Sequence, residues 1–458
     1  MKRFSYFIST KRKQIGINTI ILIISVACFS CTQKKQITFS ADIAPVIYKN
    51  CTNCHRAGQA GLIPLVTYED VSKRSKTIAA VVEKHLMPPW PADPSYTHFC
   101  DELVLSDPEI SMIKKWSEEG APAGDLSKLP PLPDFDQRSL IGKPDVTLRI
   151  KPFLIEGDNT DRFMVMKIPF ELPRDTFIRA VEFMPGSPYV HHVNGHIICY
   201  EEGKKKDIYA GRYVINTEKA DRDSVFQEMS LLNDDGSNPI LINSVTNYLP
   251  GVLGTIYPDG IGGFAVKKRG IIYLNDIHYG PSAEAVSDTS FLNIFYGKKP
   301  PVRPTMEIQL GTLGISDIIP PLIIPADSVK KFVTRAKILG DISLLTVNPH
   351  MHLLGKSFIS YAVKPSGDTI PIIRIKSWDF RWQYFYTFPK MVHIPAGSTI
   401  EVIAAYDNTV NNPNNPFNPP QTVEGRNGSM KTTQEMLQLI LTYLPYEKGD
   451  EDISLETK

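Results

Sequence analysis

The pentapeptide Cys51-Thr52-Asn53-Cys54-His55 constrains this chain more than any other stretch. Two thiols three positions apart come to one side of a single helical turn, and a histidine follows at once. At that spacing each thiol can bond a haem vinyl carbon while the imidazole takes the iron from below, as in a c-type attachment site. With six cysteines and ten histidines in 458 residues, chance yields about 0.002 such pentapeptides. A thioredoxin-like redox pair or half a zinc site would use the same thiols. The redox pair wants a preceding strand, whereas Phe39-Ser-Ala-Asp-Ile-Ala-Pro-Val-Ile-Tyr48 reads as an amphipathic helix. Residues 36–125 are therefore expected to form a small all-α domain with one covalent haem c on Cys51, Cys54 and His55.

The iron's other axial face needs a ligand, often a methionine that raises the reduction potential. Met87, in Lys84-His85-Leu86-Met87-Pro88-Pro89-Trp90, stands 32 residues after His55, where small cytochromes carry that methionine. The two prolines hold the backbone extended, so the thioether can be aimed from a loop. Met112 is a rival, but the period of Asp107–Trp116 makes it a core position on a closing helix with Pro108 in its first turn. His85 and His98 are weaker rivals.

Lys2, Arg3, Lys11, Arg12 and Lys13 precede an apolar run from Ile15 to Phe29. At about 15 residues it falls short of the ~20 that span a bilayer, so residues 1–31 read as a secretory signal. The run ends Ser25-Val-Ala-Cys28-Phe-Ser-Cys31. A small residue before a cysteine resembles a bacterial lipoprotein cleavage site, with Cys28 or Cys31 as the lipidated N-terminus. Neither cysteine has the preferred leucine three positions earlier, and a signal that is simply cleaved, or kept as an anchor, is the alternative. The expectation is an exported chain, periplasmic or held at the outer membrane or cell surface of a bacterium by lipid. Fifty basic against 49 acidic residues leave a charge of +1, without the basic excess of a nucleic-acid binder.

Residues 126–141, with Leu129-Pro-Pro-Leu-Pro133, form a stiff proline-rich linker. Beyond it the texture changes to short β-branched and aromatic runs between Gly, Pro and Asn turns. Thr147–Ile150, Phe163–Ile168, Ile271–Leu274 and Thr399–Ile403 are examples. That spacing predicts all-β sandwiches. Some 310 residues are too many for one sandwich and suit two, over 142–300 and 301–450.

This half holds His191, His192, His196, His278, His350, His352 and His393. His350 and His352 lie two apart on an expected strand and so share a face, about 6–7 Å apart, with Met351 turned away. His191 and His192 are neighbours, which a regular strand sends to opposite faces. A shared metal requires a strand end or a bulge there, and Pro188 permits one. His196, roughly 13 Å beyond His192 along a strand, is expected to support a site or to be exposed. Each pair alone is better read as ordinary buried or surface histidines.

Together, Pro188-Tyr-Val-His-His-Val, Ile277-His-Tyr-Gly280, Pro349-His-Met-His-Leu-Leu-Gly-Lys356 and Thr432-Thr-Gln-Glu-Met436 resemble the copper type II, ascorbate-dependent monooxygenases. That is the family of peptidylglycine α-hydroxylating and dopamine β-monooxygenases. The resemblance covers residues 142–446. It implies two jelly-roll-like β-sandwich domains facing each other across a cleft, each with one copper. His191, His192 and His278 would bind the electron-storing copper; His350, His352 and Met436 would bind the oxygen-activating one. Met430 is the nearest rival to Met436. The family's animal members carry several disulfides, whereas here only Cys100 and Cys199 remain; whether they bond is left open, and such a bond would link the haem module to the first sandwich. The implied activity is hydroxylation of a C–H bond in a small-molecule or peptide substrate by O2. An external donor supplies electrons, which pass from the haem to the storing copper and then to the oxygen-activating copper. The alternative is a non-catalytic surface protein that carries electrons or binds copper.

Overall fold

The computed structural model describes residues 36–135, 139, 141–217, 222–250, 256–258, 260–425 and 431–456. The signal expected over 1–31, with Cys28 and Cys31, and the rival Met430 lie outside them. Phe39–Ile43 forms one π-helical turn that runs into the α-helix Ala44–Asn50. Phe39, Ile43 and Ile47 repeat every four residues and are fully buried, the stripe expected of an amphipathic helix. Three further helices follow, Tyr68–Ser72, Ser75–Glu83 and Asp107–Glu118. The last starts from a Ser106/Glu109 capping box with Pro108 in its first turn. These helices share one apolar cluster that includes Ile78, Ile113 and Trp116, with Met112 packed against it. No helix among the described residues is long and apolar enough to cross a bilayer.

From Val146 onward the chain is mostly antiparallel sheet, arranged as two successive pairs. In the first pair, the five-stranded sheet orders Val214–Asn216, Arg162–Glu171, Arg269–Tyr279, Val190–Cys199 and Ile240–Tyr248. Its partner orders Val146–Arg149, Phe291–Tyr296, Thr176–Met184 and Phe264–Val266. Val193, Ile197, Ile272, Leu274, Val181 and Leu292 fill the space between them. In the second pair, a four-stranded sheet orders Met306–Gly311, Leu437–Pro445, Ile342–Met351 and Tyr386–Ile394. It packs on a five-stranded sheet built around Thr399–Asn408. Val347, Met351, Leu437, Leu439 and Leu441 point inward there. Each such buried leucine contributes about 1.5–3 kcal/mol, and period two then sends His350 and His352 to the outer face.

Between the helices Ser75–Glu83 and Asp107–Glu118 the chain leaves the helical cluster and packs on the second pair of sheets. Ala92 bridges Ile375, Asp93 N–H donates to the Arg374 carbonyl at 2.8 Å, and Cys100 N–H donates to the Thr387 carbonyl at 2.7 Å. Phe99 lies against Tyr386 and Phe388, and both Ala92 and Phe99 belong to the second core. Cys100 and Cys199 are both free thiols. Cys199 is committed to the first core, and the Cys100 thiol donates to the Phe388 carbonyl at 3.4 Å.

Candidate metal centre

The strand Val190–Cys199 cannot pair regularly with Arg269–Tyr279 through its histidines. Val190 faces Tyr279 and His192 faces His278, so His191 is an extra residue in a β-bulge. The bulge turns His191 toward His278 as well. Their ring centroids are 4.9 Å apart, and those of His192 and His278 are 5.1 Å apart. Gly280 makes this possible: a Cβ there would stand 2.3 Å from the His191 ring.

Carboxylates set the ring orientations. His278 Nε2 meets Asp161 at 2.7 Å, and His192 Nε2 meets Asp276 at 3.2 Å. With Nε2–H donated, Nδ1 carries the lone pair. The Nδ1 atoms of His191, His192 and His278 are all buried and lack a hydrogen-bond partner. Leaving such atoms bare costs about 1–3 kcal/mol each, and metal ligation is one way to satisfy them. Ligand atoms of Asp161, His191 and His278 lie within 4.8 Å of one another. Burial pushes His191 down to about 4 and also lowers His278, against the pull of Asp161. Both rings are thus neutral at neutral pH, the form that binds a metal.

The second set sits on the outer face of the four-stranded sheet. His350 pairs with Gln438 and Met351 with Leu437. His352 and Met436 each lie one residue beyond the last pair of that register. The Glu435 carboxyl group closes this corner, accepting N–H bonds from Leu354 at 2.7 Å, His352 at 2.9 Å and Met436 at 3.3 Å. Burial still pushes Glu435 up to about 8. Met436 is buried, yet among the described residues it belongs to none of the apolar clusters that hold Leu437 and Leu439. His352 Nδ1 bonds the Gln434 carbonyl at 2.7 Å, and His350 Nδ1 bonds the Gln383 side-chain oxygen. Both rings then present Nε2. Burial lowers both imidazoles.

The two sets confront each other. The ring of Phe380 lies 6.2 Å from His192, 6.2 Å from His278 and 5.8 Å from His352. Asp276 is half-buried between them. Its carboxyl is held low by His192 first and by the more distant His350 and His278, outweighing burial. Phe163 stacks on His278 at 4.5 Å and closes that side.

In the helical part, Cys51 and Cys54 follow the helix Ala44–Asn50 directly and are free thiols, pushed up by burial to about 12 and about 11. Thr52 Oγ1 donates to the Ile47 and Leu65 carbonyls and pins the turn. His55 Nδ1 bonds the Ile63 carbonyl at 2.9 Å, which leaves Nε2 to face outward. Leu62, Ile63, Leu86 and Met87 remain exposed on the two loops that carry His55 and Met87, apolar surface of the kind a ligand covers. No hydrogen bond or ring contact among the described residues joins Met87 to His55.

The remaining histidines stay apart from these sets. His85 is exposed, His98 meets Glu102 at 3.2 Å, and His393 meets Asp341 at 3.0 Å. His196 accepts the Ser244 N–H at 3.1 Å. The sequence reading missed Asp161, Asp276, Phe380, Gln383 and Glu435. Asp276 stands two residues before His278 on one strand, a signal that period two makes readable. The others arrive through pairings and loops that no local pattern announces.

No family model and no curated protein matches the sequence. Among solved structures, the infectious bursal disease virus VP2 subviral particle overlaps at 9% identity and a TM-score of 0.15, covering 69% of this chain and 86% of that one. A structure of PNGF-II overlaps at 10% identity and a TM-score of 0.19, covering 68% and 63%. Overlaps this loose carry neither fold nor function.

Proposed function

We propose that this chain is an exported, haem-coupled copper monooxygenase of the copper type II kind, hydroxylating a C–H bond with O2. One observation carries the reading: two imidazole sets face each other across Asp276 and Phe380, and they differ in donor chemistry. His191, His192 and His278 offer three buried Nδ1 atoms without partners. Three imidazoles tolerate both Cu(I) and Cu(II), as storing one electron requires. His350 and His352 offer Nε2, and Met436, which directly precedes the strand partner of Met351, would add a softer thioether. Replacing one imidazole by a thioether favours Cu(I), the state that meets O2. The overall reaction joins R–H, O2, two electrons and two protons to give R–OH and water, and bound copper would supply the electrons.

The chain's own residues prepare that chemistry. Asp161, Asp276, Gln383 and the Gln434 carbonyl fix the ring orientations from behind. Phe380 and Phe163 keep the imidazoles out of water. Cys51, Cys54, His55 and Met87 would hold one haem c, which would supply electrons one at a time. A signal of lipoprotein type would place the protein at the periplasmic or cell-surface membrane. Its substrate is a small molecule or peptide, and an external donor refills the haem.

The test is metal analysis joined to two variants. The intact protein should hold one covalent haem and two coppers. Met436→His should keep its copper yet lose product formation, because a third imidazole favours Cu(II). His278→Ala should lose the first copper and slow electron supply while leaving O2 binding at the other set. Unchanged turnover in Met436→His makes Met436 core filler and defeats the reading. Zinc in both sets after copper loading defeats it as well.

A further inference from the structure

We propose that the cavity between the two pairs of sheets is a ligand site of its own, suited to one neutral, polyhydroxylated ring of monosaccharide size. The site stands apart from the proposed metal and haem centres.

The cavity measures about 280 Å³, just under the ~300–1,000 Å³ that ligand pockets usually span, so its occupant is small. One wall comes from the strands Thr176–Met184, Ile240–Tyr248 and Phe264–Val266 of the first pair. The other is the outer face of the four-stranded sheet, where Glu307, Thr442 and Thr346 stand side by side on adjacent strands. Two hydrogen bonds cross between the walls. Tyr257 Oη and Thr346 Oγ1 lie 3.0 Å apart, and the Ser244 hydroxyl donates to the Glu307 carboxyl. Ser244 does so from left-handed backbone, φ 49°, a conformation uncommon outside glycine. Thr346 and His350 are four residues apart on one strand, about 13 Å. The cavity and the His350 set therefore share a sheet face, but one small ring cannot touch both.

Three features of the lining select the ligand. The Thr246 hydroxyl is buried in a residue only 3% exposed, and it has no hydrogen-bond partner. A threonine hydroxyl both donates and accepts, so it matches another hydroxyl, whereas an apolar ligand would leave it bare. The rings of Phe264 and Phe385 also line the cavity, half-buried, and neither contacts another aromatic ring among the described residues. Rings left open in this way cover apolar C–H surface, which a sugar presents between its hydroxyls. Arg179 and Glu307 bring one charge of each sign, and among the described residues neither forms an ion pair. Their charges oppose, so an anion meets Glu307 and a cation meets Arg179. A neutral polyol instead uses both, accepting from the guanidinium and donating to the carboxyl. A zwitterion could use the two charges, but it would leave the threonine hydroxyls and the phenylalanine rings idle.

The test uses the full-length protein, with D-glucose, D-galactose, D-mannose and myo-inositol as probes and glycine betaine and sulfate as charged comparisons. Binding is read by saturation-transfer NMR on the probe and by the rise in urea midpoint that a ligand of the folded state produces. At least one of the four polyols should bind, and neither charged compound should. Thr246→Val keeps the shape of the side chain. It should weaken binding roughly 3- to 10-fold, the share of one hydrogen bond, without lowering the midpoint of the ligand-free protein. Phe385→Leu should weaken binding as well, while His278→Ala should leave it unchanged. No binding by any of the four, or preferred binding of betaine or sulfate, overturns the site. Unchanged affinity in both Thr246→Val and Phe385→Leu overturns it too. Because no readout involves the imidazole sets, failure of the copper reading would leave these outcomes as they stand.

Discussion

Gly280 has no side chain because the His191 ring occupies the space, with 2.3 Å from a Cβ to the imidazole. Gly280→Ala should therefore push His191 out of its set at a cost of about 1–3 kcal/mol in folding. Copper per chain should fall by one while the His350 set stays loaded. Full copper content in the alanine variant, measured by metal analysis, would remove His191 from the ligands. Glu435 belongs to the same scale. Its carboxyl gathers three backbone N–H groups around His352 and Met436, and an isosteric amide offers fewer acceptor sites. Glu435→Gln should lower the urea midpoint by an amount equivalent to about 1–3 kcal/mol and loosen copper at His352. An unchanged midpoint would make this carboxyl incidental to the corner it fills.

At the scale of elements, sequence and structure part company in an instructive way. The amphipathic stripe of Phe39, Ile43 and Ile47 was readable because a helix repeats its burial locally. The shared face of His350 and His352 was readable because a strand alternates. A metal shared by adjacent His191 and His192 required a strand end or a bulge, and the strand pairing contains a bulge there. Asp161 and Gln383 escaped, since they reach His278 and His350 from 117 and 33 residues away through pairings that no period encodes. The same holds for Asp93, which fastens the segment after Met87 to the second pair of sheets. Its buried carboxylate meets Arg374 at 2.7 Å and Lys376 at 2.8 Å. Burial raises its carboxyl, but Lys376, Ser95 and Arg374 outweigh that and hold it well below the ordinary range. A depressed carboxyl stabilises the fold fully above its unfolded value, about 3.9, and loses that contribution as pH falls further toward the folded value. Asp93→Asn should cost about 1–2 kcal/mol at pH 7, given two partly exposed partners. The gap to the parent protein should narrow only below about pH 4. A gap in urea midpoints that stays constant down to pH 3 would show that the ion pairs contribute nothing.

Across the whole molecule, the two sheet pairs are brought face to face by their outer surfaces, and what stands between them decides how the two imidazole sets would communicate once loaded with metal. Phe380 touches a ring of each set at about 6 Å. Asp276 bonds only His192 among the imidazoles, while feeling the charge of His350. No described side chain donates one atom to both sets, so no single-atom bridge is available to align two copper spins. Charge on one set nevertheless reaches the other, because His192, His278 and His352 are buried and the interior screens weakly. The fully oxidised protein should therefore show two ordinary copper spins by paramagnetic resonance, with double integration accounting for all the copper. Removing the first copper by His278→Ala should leave the second signal's intensity unchanged but shift its potential, since a nearby charge is gone. Phe380→Ala should admit water, raise the local screening and shrink that shift without changing the spin count. A resonance-silent pair in the parent protein would mean a shared bridge, and would merge the two sets into one centre. A potential indifferent to the first copper would instead mean that Asp276 insulates the sets electrostatically, leaving electron transfer as the sole communication between them.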